Sequence, residues 1–245
     1  MPRTARKKSQ SGIYHIMLRG INRQDIFEDD EDREKFLQTI AGYSEKCEFK
    51  LYGYCLMNNH IHLLVKDENL ATTMRRICSS YVYWYNWKYK RCGHLYQDRF
   101  KSEVVEDNNY FLTVLRYIHQ NPLKAGIVKN IADYKWSSYT EYILKQKIID
   151  VGFVFGMLTK DQFICYSNEE NKDRCLEYSE NIKIDDNEAR EIIKKIIDVK
   201  NINEIQSFEK AKRDNIIKNL KLIDGLSIRQ LARITGITKR IIEIT

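Results

Sequence analysis

Asn58-Asn59-His60-Ile61-His62-Leu63-Leu64-Val65 reads as a turn that leads into a β-strand. Asparagine pairs favour tight turns, and the run that follows is apolar apart from two histidines one residue apart. Side chains along a strand alternate between its faces. His60 and His62 therefore project from one face, and Ile61, Leu63 and Val65 from the other. Two imidazoles side by side on a rigid element supply half of a metal site.

Upstream, Phe49 to Met57 reads as the strand that pairs back across the asparagine turn as a hairpin. Ile13 to Gly20 reads as a first strand, with Tyr14, Ile16 and Leu18 alternating against Ile13, His15 and Met17. Between them, acidic Asp29 to Asp32 precede Phe36, Leu37 and Ile40, which suits an amphipathic helix to about Ser44. Downstream, Leu70 to Tyr89 is helical, and Tyr81, Trp84, Tyr85 and Trp87 fall at the spacing of its core face. Arg99 to Glu106 reads as a fourth strand. Asp107-Asn108-Asn109 can cap a helix from Tyr110 to Asn121, which Pro122 is expected to stop. The order β-α-β-β-α-β, then a helix, predicts an α+β fold: a ferredoxin-like antiparallel sheet with helices on one face. Its other face is expected to be free for binding.

After about Thr140 aromatics thin out and Ile and Lys take over. The expected organisation is a domain over residues 10–143 and a helical C-terminal region over 185–245, with 146–184 carrying no clear pattern. Helices are expected over Ala189 to Val199 and Phe208 to Leu222, followed by two short ones. The stretch from Leu226 to Ile242 fits a helix-turn-helix, with small Ala232 four residues before Gly236 and apolar Ile237 and Ile242 filling the angle. Ser227 and Thr238 suit the N-caps. Thr238, Lys239 and Arg240 would open a recognition helix, as candidate contacts to duplex DNA.

The 245 residues are 43 % hydrophobic with two prolines and ten glycines, the composition of an ordered globular chain. No run approaches the ~18 apolar residues of a membrane span, and basic Arg3, Arg6, Lys7 and Lys8 lead into no signal-peptide core. A cytoplasmic protein with no membrane partner is expected. The six cysteines form no CxxC pair. They read as reduced and mostly buried thiols, not zinc ligands. Residues 1–145 carry 23 Lys and Arg against 17 Asp and Glu, which points that part towards a polyanion.

Tyr117 and Asn121 lie four residues apart on the expected helix and share a face. Set against the His60/His62 strand, that face would gather two imidazoles, an amide oxygen and a phenol. Two nitrogens and one oxygen leave coordination positions open, as a catalytic metal requires. The metal would polarise a phosphate oxygen, and the phenol would be the nucleophile. His119 falls on a different face, and His15 and His94 carry no role in this reading. Tyr81 to Lys101 interleaves aromatics with cations, the pattern that holds single strands. Lys88, Lys90, Arg91, Arg99 and Lys101 are candidate DNA contacts, as are Arg19 and Arg23 at the end of the first strand.

The His60-Ile61-His62 strand, the helix Tyr117-Ile-His-Gln-Asn-Pro122 and the segment Gly93-His-Leu-Tyr-Gln-Asp-Arg-Phe-Lys-Ser102 resemble the single-tyrosine HUH transposases. These are the IS200-like family, and the likeness is strongest to its REP-associated branch. Arg19-Gly-Ile-Asn-Arg23, Asn121-Pro-Leu-Lys-Ala-Gly126 and Trp136-Ser-Ser-Tyr139 agree in order, so that the resemblance covers roughly residues 10–143. It implies an HUH endonuclease fold and a divalent metal, Mg²⁺ or Mn²⁺, on His60, His62 and a third ligand from the tyrosine helix. Insertion-sequence members typically place a glutamine there; this chain has Asn121. It also implies Tyr117 as nucleophile on single-stranded DNA, hairpin ends included, in a monomer or a homodimer. Attack would give a 5′-phosphotyrosine and a 3′-OH, so rejoining needs no ATP. The rival reading is a non-catalytic DNA-binding regulator derived from such an enzyme. An RNA-binding module is disfavoured, because the strands lack the aromatic pattern of an RNA-recognition sheet.

Overall fold

The alternating apolar runs become four strands of one antiparallel sheet: β1 (Ile13–Arg19), β2 (Lys50–Leu56), β3 (His60–Lys66) and β4 (Lys101–Val104). Their order across the sheet is β2-β3-β1-β4, that of a ferredoxin-like fold. The computed structural model describes residues 6–46, 48–170, 173–177, 185–197, 201–223 and 225–245. Arg3, Cys47 and the expected helix end at Val199 lie outside them. β3 is paired on both sides, so that His62 stands opposite Met17 of β1 and Cys55 of β2. β4 is shorter than the eight residues expected. It pairs with β1 only from Tyr14 to Met17, and the end of β1 bonds instead to the loop before β4, where Gln97 N–H donates to the Arg19 carbonyl.

Helices α1 (Asp30–Lys46) and α2 (Leu70–Lys88) pack together. They cover the face that carries Ile16, Leu18, Ile61 and Leu63, all buried. Phe27, Phe36 and Tyr81 join them through ring contacts of 5.2–5.8 Å. Tyr81 and Tyr85 are buried as expected of a core face, but Trp87 is 72 % exposed. It lies two residues beyond Tyr85, about 200° around the helix, and so on the solvent side.

The opposite face is not free. Helix α3 (Asn108–Lys124) lies across it and needs that cover for its buried stripe of Phe111, Val114, Leu115 and Ile118. Gly53 allows a close approach: a Cβ there would lie 2.5 Å from Leu115 Cδ1. Asp107 caps the helix, its side chain accepting from Tyr110 N–H. Pro122 does not stop it. The ring removes one backbone donor, yet the helix runs on to Lys124 with Pro122 buried inside its last turn.

Three short helices follow, α4 (Tyr139–Ile143), α5 (Gly152–Phe155) and α6 (Lys160–Asn168). Val154 and Phe163 are buried in the same core as the sheet. The cysteines differ from expectation, since only Cys55 of the five described is buried and Cys92 and Cys165 are exposed; all five are free thiols. Two compact units divide the chain after Glu177. The second holds α7 (Asp186–Ile197), α8 (Lys210–Lys221), α9 (Ile228–Thr235) and α10 (Lys239–Ile244) around Ile193, Ile205, Leu220, Leu231 and Ile242. Gly236 makes the turn between α9 and α10 in the left-handed conformation, φ 71°. Among the described residues no helix is long and apolar enough to cross a membrane.

Candidate active site

The strand period sets His60 and His62 on the face that α3 covers. Asn121, in the last turns of α3, reaches down to both. Its Oδ1 lies 3.3 Å from His60 Nε2 and its Nδ2 3.4 Å from His62 Nε2. The two histidine rings meet edge to face at 5.2 Å. Tyr117, one turn earlier on α3, sets its ring 5.7 Å from that of His62. The structure thus brings together the four residues that the spacing singled out.

The protons around His60 can be placed. Asn59 Nδ2 donates to the Arg23 carbonyl, which fixes that amide and turns its Oδ1 to His60 Nδ1 at 2.8 Å. An amide oxygen only accepts, so the ring proton is on Nδ1. Burial lowers the pKa of His60 and, further, that of His62, so both rings are neutral near pH 7. His60 Nε2 then presents a lone pair to Asn121 Oδ1, with no proton between the two atoms. A cation resolves that facing of two acceptors. Among the described residues no group of three His, Cys, Asp or Glu side chains could hold a metal. The donor set is therefore two imidazole nitrogens and one amide oxygen, which suits a divalent ion with open positions.

Tyr117 is only 2 % exposed. Its hydroxyl donates to Glu177 Oε1 at 2.5 Å, and the Lys124 ammonium stands 4.9 Å from its ring centre. Burial, then the hydrogen bond to the Glu177 carboxylate, raises the phenol well above its ordinary pKa. Glu177 lies 60 residues beyond Tyr117 and outside any regular element, so no periodicity pointed to it. His15 was missed as well: its Nε2 lies 3.0 Å from His62 Nδ1, and its Nδ1 3.6 Å from the Glu103 carboxylate. The alternation of β1 set His15 against Tyr14, Ile16 and Leu18, but only the register with β3 puts it on this face, beside His62. His119 faces away, bonded through Nε2 to Ser138 Oγ at 2.8 Å.

Residues 8–121 match the model of the family described as transposase IS200 like, a stretch that holds His60, His62, Tyr117 and Asn121. Over those residues the chain is similar to the IS200-like transposases. A curated protein of Haemophilus influenzae, assigned as a REP-associated tyrosine transposase, is 29 % identical over 116 residues, 40 % of this chain and 65 % of the relative's length. The solved structure of a REP-associated tyrosine transposase bound to a REP hairpin superposes with a TM-score of 0.53 at 16 % identity. That match covers 62 % of this chain and 90 % of the other, and shows that the two share a fold.

The cations of the first unit separate into groups. Arg19 pairs with His60 across β1 and β3, and Lys101 with Met17, so both extend from the face that carries the histidines. Arg23 and Arg99 are exposed in the adjoining loops. Lys90 is exposed beyond α2, where Arg91 reaches Gln24 Oε1 at 3.4 Å and covers the Tyr85 ring. Lys88 is withdrawn from the DNA candidates. Its ammonium is held by Asp29, Glu31 and Asp32 at 2.8–2.9 Å and is 17 % exposed, a structural cation between α1 and α2. Thr238, Lys239 and Arg240 belong to the second unit and are exposed at the start of α10, where Lys239 pairs with Glu243.

Proposed function

We propose that the protein cleaves and rejoins single-stranded DNA through a 5′-phosphotyrosine on Tyr117, with Mg²⁺ or Mn²⁺ held by His60, His62 and Asn121. The supporting observation is the convergence of both histidine Nε2 atoms on the Asn121 side chain, one helical turn from Tyr117. When bound, the metal supplies Lewis acidity towards a phosphate oxygen. The chain's own groups do the rest. Glu177, already the acceptor of the phenol proton, takes it as the Tyr117 oxygen bonds to phosphorus and the 3′-oxygen leaves, to be protonated by water. Arg19 and Lys101 contact the flanking phosphates. The solved relative holds a REP hairpin, which makes hairpin-flanked single strands the first substrates to try.

A second reading is a regulator that binds duplex DNA without cutting it. The turn at Gly236 between α9 and α10, with Thr238, Lys239 and Arg240 exposed at the start of α10, supports that reading for the second unit. Denaturing electrophoresis of the protein with labelled single strands from the flanks of its own gene, in Mg²⁺ or Mn²⁺, separates the two. A covalent band that disappears in Tyr117→Phe and in His60→Ala supports the nuclease. Binding to every flank with no such band supports the regulator.

A further inference from the structure

His15 stands in β1 with no exposed atom, directly behind His62. Its Nε2 and His62 Nδ1 are 3.0 Å apart, so one proton lies between the two rings. Which ring owns it follows from the other end of His15. There Nδ1 meets no hydrogen-bond partner among the described side chains within ordinary distance. It faces the Glu103 carboxylate at 3.6 Å. A carboxylate near neutral pH only accepts, so the His15 proton is drawn to Nδ1. His15 Nε2 is then an acceptor, and the shared proton belongs to His62 Nδ1. That leaves His62 Nε2 as a lone pair pointing at Asn121. Asn59 does the same for His60, through an amide oxygen in place of a ring nitrogen.

We infer that His15, anchored by Glu103, is a positioning residue that holds His62 in its Nδ1–H form and so aims Nε2 at the metal. The inference rests on the metal reading of the site. Partners behind a ligating histidine set its tautomer and ring orientation, and their loss typically weakens metal binding about 10–100-fold. Glu103 is itself fixed, since Leu176 N–H donates to its Oε2 at 3.2 Å. The chain Glu103, His15, His62 therefore runs from the partly exposed edge strand β4 to the candidate metal, with each proton pointing the same way.

Two measurements on the full chain test this. Nitrogen NMR of the imidazoles in metal-free protein reads the tautomer, and titration calorimetry reads Mn²⁺ affinity. Wild type is expected to show His62 as Nδ1–H. His15→Phe keeps the bulk, removes the acceptor, mixes the tautomers and weakens Mn²⁺ binding about 10–100-fold. His15→Gln, whose amide oxygen can accept from His62, is expected to recover most of the affinity. Glu103→Gln, at a side chain 34 % exposed, is expected to weaken binding less and in the same direction, and covers the case in which His15→Phe does not fold. A wild-type His62 protonated on Nε2, or a folded His15→Phe with unchanged Mn²⁺ affinity, overturns the inference. Mn²⁺ binding that His60→Ala leaves unchanged overturns the metal reading itself, whatever tautomer the spectra show.

Discussion

The Tyr117 hydroxyl donates to the Glu177 carboxylate across 2.5 Å, and that bond joins the candidate nucleophile to a residue outside every helix and strand. Together with burial, the larger cause, it holds the phenol pKa up, and it gives the proton somewhere to go. Glu177→Gln is therefore expected to lower the Tyr117 pKa, with burial still holding it above the ordinary ~10, read by Cζ NMR against Tyr117→Phe. Adduct formation at pH 7 is expected to fall by roughly 100-fold, within the range of general-base effects, and to recover as the pH rises. Faster adduct formation in Glu177→Gln would mean that the carboxylate restrains the phenol and is not its base.

The legible parts of the chain were those with a period. β3 follows the asparagine turn from His60, as read, and α3 carries Tyr117 and Asn121 on the face that spacing predicted. What could not be read depended on register or on distant chain. His15 meets His62 only because Met17 stands opposite His62 in the ladder. Glu177 arrives from a loop, and Lys88 looks basic in sequence yet is neutralised by three carboxylates of the α1 start. Within 146–184, the described helices α5 and α6 are too short to show periodicity. α6 begins instead at a local capping box between Thr159 and Gln162, a two-residue signal.

The close packing of Gly53 under Leu115 of α3 is expected to set how far Asn121 reaches towards the histidines. Gly53→Ala puts a Cβ 2.5 Å from Leu115 Cδ1, inside a filled core. The expected cost is about 1–3 kcal/mol, with Mn²⁺ affinity falling as α3 is pushed outward. Gly42→Ala in α1 is the matched control. A Cβ there meets nothing within 4 Å, so denaturant unfolding should show a gain approaching ~1 kcal/mol. Equal effects of the two substitutions would show that Gly53 does not set the height of the helix.

His119 makes stability fall in mild acid. Burial lowers its pKa to about 3, below the ~6.5 of an unfolded histidine. Its contribution is complete above pH 6.5 and is lost as the pH falls, because the unfolded chain takes up the proton first. Between pH 7.5 and 5 the loss is about 2 kcal/mol, a Tm decrease of about 4–8 °C for a unit of this size. His15, His60 and His62 push the same way, since burial lowers their pKa values too. His119→Gln should therefore reduce the pH dependence of Tm without abolishing it. An unchanged dependence would place the acid sensitivity elsewhere.

Arg19 and Lys101 extend from the face that carries His60 and His62, and Lys239 and Arg240 open a helix of the second unit. The two pairs should therefore answer to different DNA. Each phosphate contact to a single strand contributes a slope of about −0.7 in log K against log salt, and about −0.9 to a duplex. Arg19→Ala with Lys101→Ala is expected to reduce the single-strand slope by about 1.4 and to leave duplex binding unchanged. Lys239→Ala with Arg240→Ala should lower the duplex slope by up to about 1.8 and spare the single strand. Filter binding from 50 to 300 mM salt on both substrates measures all four slopes. If one pair changed both substrates alike, the two surfaces would serve a single DNA, and the assignment of single strands to the sheet and duplex to α10 would fall.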